Sequence, residues 1–161
     1  MKIVLKFILV LICISAVWAA QDNRTNLEPD QQEAIKKAIL QVHSEMKTAA
    51  ENFNADELFK YVLDVNDVII ENGGLRSTRK EALDITRQGL QGIKKLSYTY
   101  NHKNIIVISP NTALWTGIGT TNVVLDDGRN FINDFAETII FVLQEGQWKV
   151  LHAHRSAPNT N

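Results

Sequence analysis

The chain has 161 residues, 45% of them hydrophobic, and its 17 Lys and Arg against 18 Asp and Glu give a net charge of −1. That length fits one domain, and no basic stripe of the kind a phosphate backbone requires runs through it, which excludes nucleic acid as the main partner. The single cysteine, Cys13, can form no intramolecular disulfide, so packing has to hold the fold.

The first residues read as an export signal. Lys2 and Lys6 supply the positive end, Phe7 to Cys13 (FILVLIC) opens an apolar run that continues through Ile14, and small residues follow at Ser15, Ala16, Ala19 and Ala20. A signal peptidase wants small side chains one and three residues before its cut. Cleavage after Ala19 is favoured, because a cut after Ala20 puts Trp18 at the third position. The run falls short of the roughly 20 apolar residues of a membrane span, which leaves an uncleaved anchor as the lesser alternative. Ile12 ahead of Cys13 is not small and argues against lipid attachment. The expectation is a signal peptide over 1–19, a loose segment over 20–28 and a domain over 29–158. The mature protein is then secreted or periplasmic and free of the membrane. Removing Lys2 and Lys6 takes the basic count from 17 to 15 against 18 acidic residues, a net charge near −3. Asn23-Arg24-Thr25 is a glycosylation sequon, relevant only to a eukaryotic route.

Pro29 suits a first helical turn, with Asp30 and Glu33 at its positive end. Ile35, Ile39, Val42, Met46 and Ala49/Ala50 recur at helical spacing and predict a long amphipathic helix to about Phe53. Asn54 can cap a second, short helix carrying Leu58, Phe59, Val62 and Leu63. Asp67 to Glu71 reads as a short strand ending at Gly73-Gly74. Thr78 and Glu81 form a capping box for a third helix, whose end Gly89 and Gly92 weaken. From Lys95 the period changes to two, and four strands follow at about 96–108, 112–125, 131–144 and 147–156. Their turns are Pro110-Asn111, Asp126-Asp127-Gly128 and Glu145-Gly146. Three helices followed by a four-stranded antiparallel meander is an α+β plan. Gly117 and Gly119 share one strand face, where a sheet can bend or a neighbour approach closely.

With Glu145-Gly146 as a two-residue hairpin loop, Gln144 faces Gln147, Leu143 faces Trp148 and Phe141 faces Val150. Continued without interruption, the register sets Ile139 against His152, Glu137 against His154 and Phe135 against Ser156. Arg155 then falls on the other face, and a bulge in either strand would exchange the faces there. Both faces carry large apolar residues, so a second subunit is expected to cover the outer one, giving a homodimer or higher assembly.

The closing residues, Phe135-Ala136-Glu137-Thr138, Glu145-Gly146-Gln147-Trp148 and Leu151-His152-Ala153-His154-Arg155-Ser156 with Pro158, carry a resemblance. They resemble the last strands of the association domain of calcium/calmodulin-dependent protein kinase type two. The chain is also similar to polyketide-cyclase-like (SnoaL-like) and ketosteroid-isomerase-like members of the nuclear-transport-factor-2-like superfamily. The likeness covers about residues 29–158, its specific motif about 135–158. It implies a cone of three helices on a strongly curved antiparallel sheet, a pocket between them, and dimeric or ring-like assembly. The association domain holds a carboxylate with arginines. Arg155 carries over, whereas Ile139 stands where the second arginine belongs. No kinase motif is present, and calmodulin regulation is not implied.

Glu137 and His154 are the candidate proton-transfer pair, since a carboxylate and an imidazole in an apolar hollow can move a proton beside a carbonyl. The same pair can equally be a mutually satisfied structural contact or part of a ligand site. His152, Arg155, Tyr61 and Glu71 are the further ligand-binding candidates, the last two because the second helix and first strand line the pocket in this superfamily. Tyr61 can donate to an oxyanion or simply pack, and Glu71 beside the glycines can face solvent. His152-x-His154 would need a third metal ligand from His43, His102 or a carboxylate, and no spacing demands one. Neither metal nor cofactor is expected, and no phosphate loop or nucleophile motif occurs. Two functions stand open: a self-associating binder of a small apolar or carboxylate ligand, and a cofactor-free lyase or isomerase acting on a small hydrophobic carbonyl compound.

Overall fold

A computed structural model describes residues 27–65, 69–72 and 74–158. The predicted signal peptide and the Asn23 sequon lie outside them.

Helix α1 (Pro29–Glu51) begins with proline in its first turn, and the Gln31 side chain accepts the Glu28 N–H at 3.2 Å. It ends in a left-handed residue, Phe53 (φ 60), with the Asn54 N–H bonded back to the Ala49 carbonyl at 2.9 Å. The Asn54 side chain then caps α2 (Ala55–Phe59) by accepting the Glu57 N–H. Strands β1 (Ile69–Asn72) and β2 (Leu75–Thr78) form a small hairpin, and the Thr78–Glu81 capping box opens α3 (Arg79–Gly89). Four long strands complete the chain: β3 (Ile93–Ser109), β4 (Thr112–Leu125), β5 (Asn130–Gln144) and β6 (Gln147–Ser156). Glu145 and Gly146 both have positive φ, as a tight hairpin loop of the primed type requires.

The α+β class is as expected, but the sheet is larger than the four-stranded meander. It has six strands in the order β2-β1-β6-β5-β4-β3, with β1 parallel to β6. The Leu75–Thr78 stretch gives no alternating signal and is a strand through its antiparallel pairing with β1.

Curvature has a local origin. In β3 a bulge between Tyr100 and His102 sits opposite Gly119 and Ile118. At Gly119 an added Cβ would fall well inside contact distance of the Thr99 carbonyl oxygen, so the two backbones meet here as only glycine allows. The helices fill the concave side of the bent sheet. Ile39 from α1, Phe59, Val62 and Leu63 from α2 and its exit, and Ala113, Trp115, Ile139, Phe141 and Val150 from the sheet make one core. The convex side leaves Ile106, Ile118 and Ile132 at least half exposed.

The last hairpin follows the expected register from Gln144↔Gln147 to Phe141↔Val150 and then slips. A bulge at Leu151 makes Ile140 face His152, Ile139 face Ala153, Thr138 face His154 and Glu137 face Arg155. The expected Glu137–His154 and Ile139–His152 pairings are therefore corrected. The slip coincides with a change of neighbour along β6. Val150 gives its N–H to the Tyr61 carbonyl and its carbonyl to the Leu63 N–H, whereas residues 152–155 pair with β1. Beyond the bulge the faces are exchanged, which turns Ala153 and Arg155 to the core side with Ile139 and Glu137.

Candidate functional site

Between the concave sheet and the three helices lies a cavity of about 420 Å³. Leu58, Ile85, Leu90, Leu96, Val123 and Ile139 are among the apolar residues of its wall. A polar cluster built on Glu137 closes the deep end.

Glu137 sits on the inward side of β5 with 6% of its surface exposed. Its Oε1 accepts from Tyr100 OH at 2.7 Å, from Trp115 Nε1 at 3.0 Å and from His43 Nε2 at 3.0 Å. Its Oε2 accepts from Arg155 Nη2 at 2.7 Å. Burial alone would raise the Glu137 pKa, but the His43 hydrogen bond, the Arg155 charge and hydrogen bond, and the Tyr100 hydroxyl together hold it at about 2. Glu137 is thus an ionised anchor at neutral pH. A carboxylate held that low is a poor proton carrier.

An ionised carboxylate can only accept, so the contact fixes a proton on His43 Nε2, and in the neutral imidazole Nδ1 carries the lone pair. The His43 ring stacks on Trp115 with centroids 3.8 Å apart and meets the edge of Tyr100 at 5.0 Å. Burial and the Glu137 charge raise the Tyr100 pKa far above the ordinary phenol value, which keeps its hydroxyl a donor. Arg155 lies over the rings of Phe135 (4.7 Å) and Tyr98 (5.0 Å), with 31% of its side chain exposed. Among the described residues Glu137 is its hydrogen-bond acceptor, through Nη2.

The site residues expected from sequence separate into two sets. Glu137 and Arg155 stand together at the cavity floor, as partners of each other. His154 contributes to the cavity wall, but its register partner is Thr138, on the strand side opposite Glu137. His152 pairs with Ile140 on that same outer side and is not among the cavity residues. Tyr61 gives its hydroxyl to Glu45 at 2.9 Å, outside the cavity. Burial first and then Glu45 push its pKa up to about 12. The backbone of Glu71 lies in β1 beside His154, and its side chain lies outside the described residues. No group of three or more potential metal ligands occurs among the described residues.

Sequence reasoning named His43 only as a possible third metal ligand and did not place Tyr100 or Trp115 in the site. His43 carried a signal: it is four residues from Ile39 and three from Met46, on the apolar stripe of α1, where a polar residue is out of pattern.

A SnoaL-like domain profile matches residues 39–160. The sequence finds no match among curated proteins. Solved structures with the same fold include a candidate scytalone dehydratase from Novosphingobium aromaticivorans (TM-score 0.73, 16% identity, covering 81% of this chain and 89% of that one). A candidate dehydratase of the NTF2-like family from Streptomyces avermitilis has a TM-score of 0.70 at 17% identity, covering 78% of this chain and 98% of that one. The association domain of the C. elegans calcium/calmodulin-dependent protein kinase II has a TM-score of 0.65 at 17% identity, covering 79% and 98%.

Proposed function

We propose that this chain, which belongs to the SnoaL-like family, binds a small, mainly apolar molecule and presents the molecule's polar end to Arg155. The observation that carries this reading is the combination of an apolar cavity of about 420 Å³ with a polar floor that includes the Arg155 guanidinium. Titration calorimetry with 1-decanol tests it. The wild-type protein is expected to bind one equivalent. Ala153→Phe, which fills the floor beside Ile139, is expected to abolish binding, and Arg155→Lys to weaken it. Unchanged affinity in Ala153→Phe would place the alcohol elsewhere and end this reading.

The His43–Glu137 contact favours a second reading, a cofactor-free lyase or isomerase acting on a small hydrophobic carbonyl compound. Glu137 orients His43, whose Nδ1 is the base, and the two dehydratase names among the structural relatives fit that chemistry. Proton abstraction next to a carbonyl incorporates deuterium into cyclohexanone in heavy water. Acceleration that disappears in His43→Gln, which keeps a donor for Glu137, supports the enzyme. Equal rates with and without protein remove it.

The same domain is proposed to self-associate through the convex sheet face. Ile106, Ile118 and Ile132 are exposed there, and the C. elegans relative is itself an association domain. Light scattering is expected to give a dimer or larger for the wild type and a monomer for Ile118→Asp. A wild-type monomer at high concentration would refute it. Export after cleavage at Ala19 completes the proposal, and the intact mass of protein from its own source checks it.

A further inference from the structure

Glu137 and His43 fill the floor, but the wall carries a second cation. Among the described residues, Lys47 and Arg155 are the lysine and arginine side chains that line the cavity. Lys47 stands one helical turn along α1 from His43 and so shares its face. Its ammonium lies 2.8 Å from Glu51 Oε2, with 32% of the Lys47 side chain and 22% of the Glu51 side chain exposed. The other Glu51 oxygen accepts the Tyr98 N–H at 2.7 Å. That bond pins the acid, and the lysine is the partner free to move.

An anionic group entering the cavity therefore has two cations to choose between. At the floor, the charge of Arg155 is matched by a carboxylate only 4% exposed. A second carboxylate there would meet a like charge in a poorly solvated hollow, where repulsion is strong. Arg155 also lies over the Phe135 and Tyr98 rings, contacts that an outward shift would give up. At Lys47 the cation is as exposed as Arg155, 32% against 31%, but its acid is more open, 22% against 4%. A part-exposed pair is weak and solvent-screened, the stem is flexible, and an ammonium with three donors can hold Glu51 and a second carboxylate together.

We infer that Lys47 is the specificity-determining residue of this pocket: it takes the carboxylate of an amphiphilic acid whose apolar body lies in the cavity. The inference rests on the ligand-binding reading above and adds the class of ligand. A neutral amphiphile thus turns its polar end to Arg155, whereas an acid turns its carboxylate to Lys47 and leaves its uncharged end at the floor.

Calorimetry with decanoate and 1-decanol tests this on the full chain, with wild type, Lys47→Gln, Glu51→Gln and Arg155→Lys in parallel. Lys47→Gln is expected to weaken decanoate by about tenfold, the scale of one charge-assisted hydrogen bond, and to leave 1-decanol unchanged. Glu51→Gln removes the competing charge while its amide oxygen still serves Tyr98, and is expected to tighten decanoate. Equal decanoate affinity in wild type and Lys47→Gln overturns the assignment. So does parallel weakening of both probes, which would mean packing rather than charge. Loss of decanoate in Arg155→Lys with retention in Lys47→Gln would move the acid to the floor and also overturn it. If neither probe binds the wild type, the pocket reading itself fails.

Discussion

Replacing Glu137 with alanine is expected to lower the unfolding free energy by about 3–5 kcal/mol, measured as a shift in the urea midpoint followed by tryptophan fluorescence. The size follows from what the carboxylate does. Four donors end on it, from His43, Tyr100, Trp115 and Arg155. Removing their shared acceptor leaves three ring or hydroxyl donors and one guanidinium without that partner in a largely buried place. Glu137→Gln is expected to recover part of the loss through its amide oxygen while leaving Arg155 uncompensated. Combining it with Arg155→Met should cost less than the two single changes added, because the second removes the charge that the first strands. Acid provides an independent reading of the same contact. Glu137 titrates at about 2 in the fold against an ordinary 4.5, so the folded state favours the ionised form. Its contribution, about 3 kcal/mol, is complete above about pH 5.5 and is lost as pH falls through 4.5 towards 2. That acid-induced loss is expected to be much smaller in Glu137→Gln. An alanine variant within 1 kcal/mol of wild type would mean that the cluster is not closed.

Gly119→Ala is expected to cost about 2–3 kcal/mol, at the upper end for overpacking, because its Cβ is driven into the Thr99 carbonyl and a backbone cannot step aside like a side chain. The Phe135 ring, 3.1 Å from the same Cβ, closes the other direction. Gly89→Ala is the matched control. It ends α3, its φ is not positive and nothing lies within 4 Å of the added methyl, so about 0.5 kcal/mol of stabilisation is expected. Chemical denaturation of the pair compares the two effects directly. Equal midpoints for the two variants would show that the sheet does not bend by close approach at Gly119.

The local elements were legible because their signals are local. Pro29 marks a helix start by its fixed φ and missing N–H, and Asn54 and the Thr78–Glu81 box do so through bonds made within a few residues. Glu145-Gly146 fixed the last hairpin and its first pairings correctly. The register failed at Leu151 because an alternating strand satisfies period two on either side of a bulge. What decides between the two is distant in sequence. Tyr61 and Leu63 hold Val150, β1 takes over from residue 152, and Glu137 gains Arg155. The slip carried the candidate site with it, exchanging His154 for Arg155 as the partner of Glu137. His43, Tyr100 and Trp115 come from α1, β3 and β4 and meet only in the fold, so no spacing announces them. Of the three, His43 alone broke a sequence pattern.

The chain's polar floor and its apolar wall make one binding site in this account, and a crystal structure of the protein with 1-decanol is the most direct measurement of that. The hydroxyl is expected within hydrogen-bond distance of the Arg155 guanidinium, with the alkyl chain running past Ile139 and Leu96 towards Lys47. Decanol seated on the convex sheet face, with the space beside Glu137 closed, would contradict it.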